Sequence, residues 1–344
     1  MGPGLILSCF YGKEGGMKRR KSKLIEVGRV KIGTGNPIVV QGMTKTDTED
    51  VAATVKQIRQ LERAGAKIVR VAVPTARAAK AISQIKDKVE VPLVADIHFN
   101  YKLALEAIER GIDKVRINPG NLSKKEILSV AERAKKKGIP LRIGVNEGSL
   151  QKNLAQKIKT HQENNPQVIA TAMVESALET VRALEENGFL NIIISLKSHN
   201  VFATIFSYQL IAEKTLYPFH LGVTAAGPPP QGVVKASIGI GTLLAQGIGD
   251  TIRVSLTADP VEEVRIAYEI LRCLNLYKET PLLISCPTCG RCKVDMISIV
   301  NDVLSGMKDI KIPLKVAIMG CEVNGPAEAK KADIGVVCGK RGLS

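Results

Sequence analysis

The sequence has few aromatic residues, no tryptophan and no long apolar segment. Phe, Tyr and Trp together make up 3% of the 344 residues, so the stacking platforms that bind single-stranded nucleic acid are scarce. No apolar run reaches the roughly 18 residues that a membrane-spanning helix needs. These shortages argue against a nucleic-acid-binding protein and against a membrane protein.

Acidic residues are also few. Asp and Glu number 33 against 49 Lys and Arg, which gives a formal net charge of +16. Such an excess favours anionic partners, whether phosphorylated metabolites, nucleic acid or an acidic protein. The chain is long enough for one large domain and a small one.

The N-terminal segment does not read as a secretory signal. Its apolar stretch, LILSC, is short and no basic segment precedes it. We therefore expect residues 1–16 to be a disordered extension, with Met17 as the natural start. The seven cysteines are an odd number clustered late in the chain, which indicates reduced thiols and a cytoplasmic protein.

Eight apolar, strand-like runs alternate with amphipathic helical stretches, and most begin about 20 to 30 residues apart. This pattern predicts an α/β fold, a (β/α)8 TIM-type barrel over residues 17–275, followed by a small α+β domain at 276–344. The polar segment 147–167 lacks a strand pattern and predicts a loop over the barrel mouth. The expected strands are 37–44, 67–73, 92–99, 114–120, 140–146, 191–198, 221–227 and 251–257.

Six of these runs carry a charged residue in apolar surroundings. A strand buried on both faces should be continuously hydrophobic, and burying an isolated charge is costly. Because only one of the six is an acid, the five cations need a shared anionic partner, most simply a ligand at one end of the barrel. The six residues are Arg70, Asp96, Arg116, Arg142, Lys197 and Arg253.

Barrel enzymes place their chemistry at the C-terminal ends of the strands. Arginine forks grip phosphate oxygens through paired charge-assisted hydrogen bonds, so this end predicts a diphosphate pocket. Single cations could instead form structural ion pairs, His98 could be structural, and Asn118 and Asn146 could be turn residues. The strand-end candidates are Gln41, Met43, Thr44, Arg70, Asp96, His98, Arg116, Asn118, Arg142, Asn146, Lys197, Ser198, Thr224, Arg253 and Ser255.

A second constellation lies downstream. Cys286 and Cys289 form a C-x2-C pair in CPTCGRC, and Cys321 follows in MGCEVNGPAEA. Structural zinc takes four Cys or His ligands, and no second pair or nearby His completes such a site. An iron–sulfur cluster with three thiolates and one unusual ligand explains the pattern better. Cys292 is the rival for the third thiolate.

Two further cysteines lie outside these motifs. Cys273 lies in an amphipathic helical stretch and is expected to be a buried small hydrophobe. Cys338 is the one cysteine that remains after Cys321, and the sequence assigns it no role.

These motifs resemble the 4-hydroxy-3-methylbut-2-enyl diphosphate synthase family of the methylerythritol phosphate route to isoprenoids. The resemblance runs from about residue 25 to 339 and includes VADIHFN, VRINPGN, LRIGVN, HLGVT, CPTCGR and GCEVNGPAEA. It implies a [4Fe-4S] cluster held by Cys286, Cys289, Cys321 and the carboxylate of Glu328. It also implies a homodimer in which the cluster domain of one subunit closes over the barrel mouth of the other.

The activity that the resemblance implies is reductive ring opening and dehydroxylation of 2-C-methyl-D-erythritol 2,4-cyclodiphosphate. Two electrons come from flavodoxin or ferredoxin, and no nucleic acid or membrane takes part. We assign catalytic roles to Asp96, His98 and Lys197. Substrate contacts are assigned to Arg70, Arg116, Asn118, Arg142, Asn146, Lys197, Thr224, Arg253 and Ser255.

The chain departs from the family pattern at several positions. Ala225 stands where the family has the Glu of VTEAG, Gly42 and Ala327 alter two other motifs, and 197–200 read Lys-Ser-His-Asn. The C-terminal domain also reads as shortened. These departures leave open a diverged homologue that binds cluster and ligand with lost or altered turnover. A zinc-stabilised basic protein that binds nucleic acid is a further alternative.

Overall fold

The computed structural model describes residues 18–160, 165–308, 310–339 and 342–343. The predicted extension at 1–16 and Met17 lie outside these residues. The chain divides into two compact units, Met1–Ile270 and Leu271–Ser344. In the described part of the chain, no helix is both long and apolar enough to cross a bilayer.

The first unit is a nearly closed barrel of eight parallel strands, which confirms the predicted fold. The strands lie in the order β8-β7-β6-β5-β4-β3-β10-β9, and a single bridge between Ile194 and Phe219 joins β8 to β9. A short hairpin, β1 (Ile25–Val27) and β2 (Val30–Ile32), precedes the barrel. The barrel strands are β3 (Val39–Met43), β4 (Ile68–Ala72), β5 (Leu93–Asp96), β6 (Lys114–Ile117), β7 (Leu141–Asn146), β8 (Ile192–Lys197), β9 (His220–Leu221) and β10 (Thr251–Ile252).

Helices on the outside of the barrel follow the strands. Most begin at a side chain that accepts a hydrogen bond from the first turn, and Ser123 and Glu126 form a complete capping box. Gly138 ends one helix in the left-handed conformation (φ 68°) that glycine adopts without strain. The helices are α1 (Val51–Arg63), α2 (Ala76–Lys86), α3 (Tyr101–Glu109), α4 (Lys124–Lys137), α5 (Lys152–Thr160), α6 (Pro166–Glu186), α7 (Val201–Ala212), α8 (Gln231–Ala245) and α9 (Pro260–Cys273).

Three sequence expectations for the barrel and its last helix, α9, were wrong. The segment 147–167 is not one loop, because it contains a short 3-10 helix (Glu147–Ser149) and α5, where Leu154 and Ile158 are buried at helical spacing. The last two barrel strands have two residues each, so Thr224, Arg253 and Ser255 lie in the loops beyond them. Cys273 is exposed, because it closes α9 on the face turned to solvent.

The N-terminal hairpin closes one end of the barrel. Ile25, Val27 and Ile32 pack against the first inward-facing residues of four strands, Val39, Ile68, Val94 and Ile193. The sequence analysis did not predict this hairpin, because strands of three residues are too short to show alternation. The apolar plug leaves the opposite end, at the C-terminal ends of the strands, as the mouth.

The second unit is a small α+β domain. Strands β11 (Leu282–Ser285), β12 (Lys315–Met319) and β13 (Ile334–Gly339) are parallel, and β14 (Gly342–Leu343) is antiparallel to β13. Helices α10 (Met296–Met307) and α11 (Gly325–Ala329) complete it. Its core joins β12, β13 and α10 through Met296, Val316, Ile318 and Cys338.

Candidate active site

The barrel interior is built in layers, because alternate residues of each strand point inward. The lowest layer is the apolar set that meets the hairpin. The inward residues two positions further along the same four strands are Gln41, Arg70, Asp96 and Ser195, and Gln41, which pairs in register with Ile68 of the floor, lies deeper than Arg70. Barrel interiors are normally filled by branched apolar side chains, so this polar filling above an apolar floor marks the ligand-binding end.

The five predicted cations share this interior. Arg116, Arg142 and Lys197 are at most 7% exposed, and the side chains of Arg70 and Arg253 are each 12% exposed. Burial lowers the pKa of Lys197 well below its usual value, and the charges of Arg142, Arg253, Arg70 and Arg116 lower it further. The cations are therefore close enough to repel one another, as an anion-binding pocket requires.

Asp96 lies between two of these cations. Its carboxylate is 3.2 Å from Nη1 of Arg116 and 3.9 Å from Nε of Arg70, and 3.6 Å from Nε2 of His98. Burial alone would raise the pKa of Asp96. Arg70, the hydrogen bond with His98 and the other arginines outweigh burial and hold that pKa well below its usual range. Asp96 is therefore ionised and orients the guanidinium groups beside it.

The depressed pKa of Asp96 predicts a loss of stability in acid. Because the folded-state pKa lies below the unfolded value, the carboxylate stabilises the fold above about pH 4 and less so as the pH falls toward the folded-state pKa. We expect Asp96→Asn to lower the free energy of unfolding by roughly 3–5 kcal/mol at pH 7, as when one partner of a buried ion pair is removed. Urea unfolding between pH 2 and 7 measures both effects.

The matched control is Glu90→Gln, which removes a carboxylate whose side chain is 82% exposed in its ion pair with Arg29. It should leave the unfolding free energy nearly unchanged, because exposed pairs contribute little. If Asp96→Asn kept the full stability and the acid dependence of the unaltered protein, the interpretation of Asp96 as an ionised, stabilising carboxylate would be wrong.

His98 and Asn118 are held by neighbours within the site. Nη1 of Arg116 and Nδ2 of Asn121 lie 2.6 and 3.0 Å from the two ring nitrogens of His98. Asn118 donates to Oγ of Ser149 at 2.6 Å and accepts from the backbone N–H of Gly120 at 3.0 Å. These bonds tie the β6 loop to the 3-10 helix, which favours a loop-holding role for Asn118.

In the described part of the chain, neither Arg142 nor Lys197 forms a direct ion pair with an acid, although the charge of Asp96 acts on Arg142 from a distance. Nε and Nη1 of Arg142 are buried without a hydrogen-bond partner. The charges that lower the pKa of Lys197 are all cationic. Because buried donors are almost always satisfied, these groups are the natural contacts for an anionic ligand.

Arg253, by contrast, has a buried partner that the sequence analysis missed. Glu263 of α9 lies 3.3 Å from Nη2 of Arg253 and 3.1 Å from Nζ of Lys45. Burial and the charge of Arg70 lower the pKa of Arg253 to about 10, against the opposing effect of Glu263. Asp96 is the only acid within the predicted strands, and Glu263 shows that a helix supplies the cations with a second one. The helical spacing of Glu263 with buried Ala267 was the signal that could have found it.

A carboxylate–serine–histidine contact joins two strand ends at the mouth. The carboxylate of Glu147 accepts a hydrogen bond from Oγ of Ser198 and lies 3.2 Å from Nδ1 of His199. The backbone N–H of Thr224 donates to the carbonyl of Ser198 at 3.2 Å, which places the β9 loop beside it. Asn146 is paired in register with Lys197 on the neighbouring strand. Ser255 is half-buried in the β10 loop.

Two glycines make room for the cations. A Cβ at Gly222 would lie 2.5 Å from Nζ of Lys197 and 2.6 Å from the carbonyl of Arg253, and one at Gly144 would lie 2.5 Å from Nε of Arg116. Any larger residue would push these side chains out of place. The backbone itself is therefore shaped around the buried charges.

The cysteine motifs of the second unit lie at one edge of its sheet. Strands β11 and β12 are parallel, and the N–H of Cys286 donates to the carbonyl of Ile318 at 2.9 Å. The loops that follow these strands, with Cys289 and Cys321, therefore leave the sheet side by side. Thr288 in the first loop has a φ of 64°, an unusual conformation for a β-branched residue that often marks a functional loop.

The thiols at this edge differ in chemistry. Hydrogen bonds from the backbone N–H groups of Val323 and Asn324, together with the charge of Arg291, lower the pKa of Cys321 against the effect of burial. Cys292 donates its S–H to the carbonyl of Val294 at 3.4 Å. Burial and the neighbouring Cys292 raise the pKa of Cys338. Cys321 is thus favoured as a thiolate, the form that ligates metals.

The candidate carboxylate ligand has a different partner in this structure. Both oxygens of Glu328 lie 3.2 Å from Nζ of Lys331. Among the described residues, no three Cys, His, Asp or Glu side chains are arranged to hold a metal ion. The donor set fits an iron–sulfur cluster in its chemistry and its position at one sheet edge, whereas the side-chain geometry of a bound cluster is not formed.

Comparison with known families agrees with this two-part construction. The GcpE TIM-barrel domain family matches residues 22–268, and the GcpE protein C-terminal domain family matches residues 282–343. The chain belongs to the GcpE family. The GcpE match thus covers both the cation-lined barrel and the cysteine-bearing unit.

Named members of the GcpE family are close in sequence. The chain is 55% identical over 324 residues to a protein of Caldanaerobacter subterraneus subsp. tengcongensis, covering 94% of this chain and 89% of the relative. It is 53% identical to a protein of Thermodesulfovibrio yellowstonii, covering 94% and 91%. Both relatives are named 4-hydroxy-3-methylbut-2-en-1-yl diphosphate synthase (flavodoxin).

Solved structures resemble the barrel at low sequence identity. Dihydropteroate synthase from Stenotrophomonas maltophilia aligns with a TM-score of 0.55 at 14% identity, covering 74% of this chain and 97% of that one. Dihydropteroate synthase from Xanthomonas albilineans aligns with a TM-score of 0.50 at 15% identity, covering 74% and 98%. At this identity the likeness supports the barrel fold of the GcpE domain and says nothing of its chemistry.

Proposed function

We propose that this protein is a reductive synthase acting on 2-C-methyl-D-erythritol 2,4-cyclodiphosphate. The product is 4-hydroxy-3-methylbut-2-enyl diphosphate, an isoprenoid precursor. Opening the ring and removing one hydroxyl consumes two electrons and two protons and releases one water. The reaction is an oxidoreductase activity of a cytoplasmic protein.

The uncompensated cations of the barrel mouth are the observation that carries this proposal. Arg142 and Lys197 are buried, and no carboxylate among the described residues pairs with them. A diphosphate supplies the missing negative charge, and arginine forks match phosphate oxygens in geometry. Arg70 and Arg116, oriented by Asp96, would hold the same group from the other side.

The electron-transfer group in this proposal is a [4Fe-4S] cluster held by Cys286, Cys289, Cys321 and Glu328. When bound, it would pass electrons singly from the reductant to the substrate. The thiolate character of Cys321 and the common sheet edge of the two cysteine loops support these ligands. The family resemblance assigns the third thiolate to Cys321, and Cys292, whose sulfur contacts the carbonyl of Val294, is the rival that the variants below distinguish.

The chain's own residues bind and orient the substrate in this proposal. Thr224, Ser255 and Asn146 lie in or beside the strand-end loops, where their polar groups can contact the sugar carbon chain. His98 and Lys197 are the mouth residues placed to hold a proton near the substrate. The partners are flavodoxin, which the names of the relatives specify, and a second copy of the chain that closes the mouth.

The two alternative interpretations are less well supported. Relatives with 50 to 55% identity over 94% of the chain carry the synthase name, which does not favour a homologue with lost turnover. The nucleic-acid alternative needs accessible cations. The side chains of the mouth cations lie inside the barrel and are at most 12% exposed. A nucleic-acid backbone cannot reach them there.

The proposal is tested by a single turnover. Anaerobically purified, cluster-loaded protein is mixed with the cyclic diphosphate and reduced flavodoxin, and the product is followed by mass spectrometry. Formation of hydroxymethylbutenyl diphosphate is the expected result. If the intact cluster and bound substrate gave no product, the proposed activity would be wrong and the diverged homologue would be favoured.

A further inference from the structure

A second group of buried polar residues lies deeper in the barrel than the mouth. Lys114, the first residue of β6, has no exposed surface, and its Nζ lies 3.5 Å from Oε1 of Gln41. His220, the first residue of β9, is also fully buried, with Nδ1 at 2.5 Å from Oγ1 of Thr251. The proposed substrate site does not use these residues.

These side chains form the layer beneath the mouth. Lys114 and Gln41 precede Arg116 and Met43 by two residues on their strands, so each points inward one step closer to the apolar floor. His220 stands in the same relation to Gly222, the glycine that Lys197 contacts. Arg142, paired in register with Arg116, borders both layers.

The layer has more hydrogen-bond donors than acceptors. Nε2 of Gln41, and Nε and Nη1 of Arg142, are buried and without a partner. Nε2 of His220 is also unpartnered, and it carries the hydrogen when the Thr251 hydroxyl donates to Nδ1. Lys114 supplies three further donors to the single acceptor at Gln41. Buried polar groups are rarely left in this state.

The layer also has an excess of positive charge. Burial lowers the pKa of Lys114 far below its usual value, and the charges of Arg142 and Arg70 lower it further. The pKa of His220 is lowered by burial and then by the charges of Arg142, Lys197 and Lys114. No carboxylate among the described residues raises the pKa of Lys114 or of His220. An anion here would remove the repulsion that these groups impose on one another.

We propose that this layer binds one small monovalent anion of halide size, such as chloride, between Gln41, Lys114 and Arg142. The chemistry favours a halide over phosphate because the site is fully buried above an apolar floor. There a single charge with little hydration is the least costly anion to place. The anion satisfies the orphan donors and holds Arg142 from below. This inference does not depend on the proposed reaction, since it concerns the protein without substrate.

Thermal unfolding in halide tests the site. We measure Tm from low to high chloride, with gluconate keeping the ionic strength constant because gluconate is too large to enter. A ligand that binds only the folded state stabilises it by mass action. Above the dissociation constant, Tm should therefore rise by about 3 °C for each tenfold increase in chloride. If Tm rose no more in chloride than in gluconate, the proposal would be overturned.

Two variants locate the anion. Lys114→Met keeps the length of the side chain and removes its charge, and it should abolish the chloride dependence of Tm. Lys197→Met is the matched control, because it removes another buried ammonium group that belongs to the mouth; it should retain the dependence. The reverse outcome, with dependence kept in Lys114→Met and lost in Lys197→Met, would place the anion in the mouth and overturn the inference.

A crystal of the unaltered protein grown in bromide tests the anion site without depending on whether a variant folds. An anomalous peak in hydrogen-bonding contact with Nζ of Lys114 and Nε of Arg142 is the expected result. An ordered water without anomalous signal at that position, or bromide bound only at the mouth, would overturn the proposal.

Discussion

Cys321→Ala is expected to leave the protein without its iron–sulfur cluster, and with no measurable turnover. Hydrogen bonds from the backbone N–H groups of Val323 and Asn324 lower the pKa of Cys321, and its removal leaves the proposed cluster one thiolate short. Iron and sulfide content, the visible absorption spectrum and electron paramagnetic resonance after reduction measure the loss independently of activity. We expect iron near background, against about four atoms per chain in the loaded parent.

Cys292→Ala is the matched control for this prediction. Its S–H donates to the carbonyl of Val294, and its sulfur packs in the core beside Met296 and Cys338. The variant should keep the cluster while losing some stability. If instead Cys321→Ala remained brown with full iron and Cys292→Ala were colourless, the third thiolate would be Cys292 and the assignment of Cys321 would be wrong.

Arg142→Met is expected to weaken binding of the cyclic diphosphate by about tenfold to a hundredfold, because each lost charge-assisted hydrogen bond is worth about 1.5–3 kcal/mol. The same substitution should not weaken the stability of the fold. In buffer without halide the guanidinium is buried with two nitrogens unpartnered, so its replacement by an apolar side chain of similar length should leave the stability unchanged or raise it. Calorimetric titration and urea unfolding measure the two effects.

Arg253→Met provides the contrasting control. It removes one partner of buried Glu263, so it should lower the unfolding free energy as well as substrate affinity, although Lys45 remains near that carboxylate. Unchanged affinity in Arg142→Met would remove Arg142 from the binding site. A large loss of stability in Arg142→Met in buffer without halide would mean that the protein itself satisfies the guanidinium and that the anion-binding interpretation is wrong.

Much of the fold was accessible from local sequence pattern. Seven of the eight predicted runs contain one observed barrel strand, and the run 221–227 overlaps β9 at Leu221, because a parallel strand buried on both faces is a continuous apolar run. The errors fell where local signals are weak. Strands β9 and β10 are only two residues long, and the helical spacing of Leu154 and Ile158 was hidden in a polar segment.

The candidate site was predicted in part. Charged residues inside strands stand out against their apolar surroundings, which is why Arg70, Arg116 and Arg142 were found. Glu263 was missed because it comes from a helix. Lys114 was missed because it is the first residue of its strand, where a lysine would ordinarily reach solvent.

The sequence by itself determined most of the segments that become strands and helices. It also determined which residue types reach the proposed phosphate-binding mouth and the cysteine-bearing sheet edge. These properties depend on neighbours along the chain. Only the tertiary structure decided which charges are paired. Gln41 and Lys114 are 73 positions apart, and Arg253 meets Glu263 only because α9 packs on the barrel. The energy of a buried charge depends on its neighbours in space, and only the closed barrel specifies them.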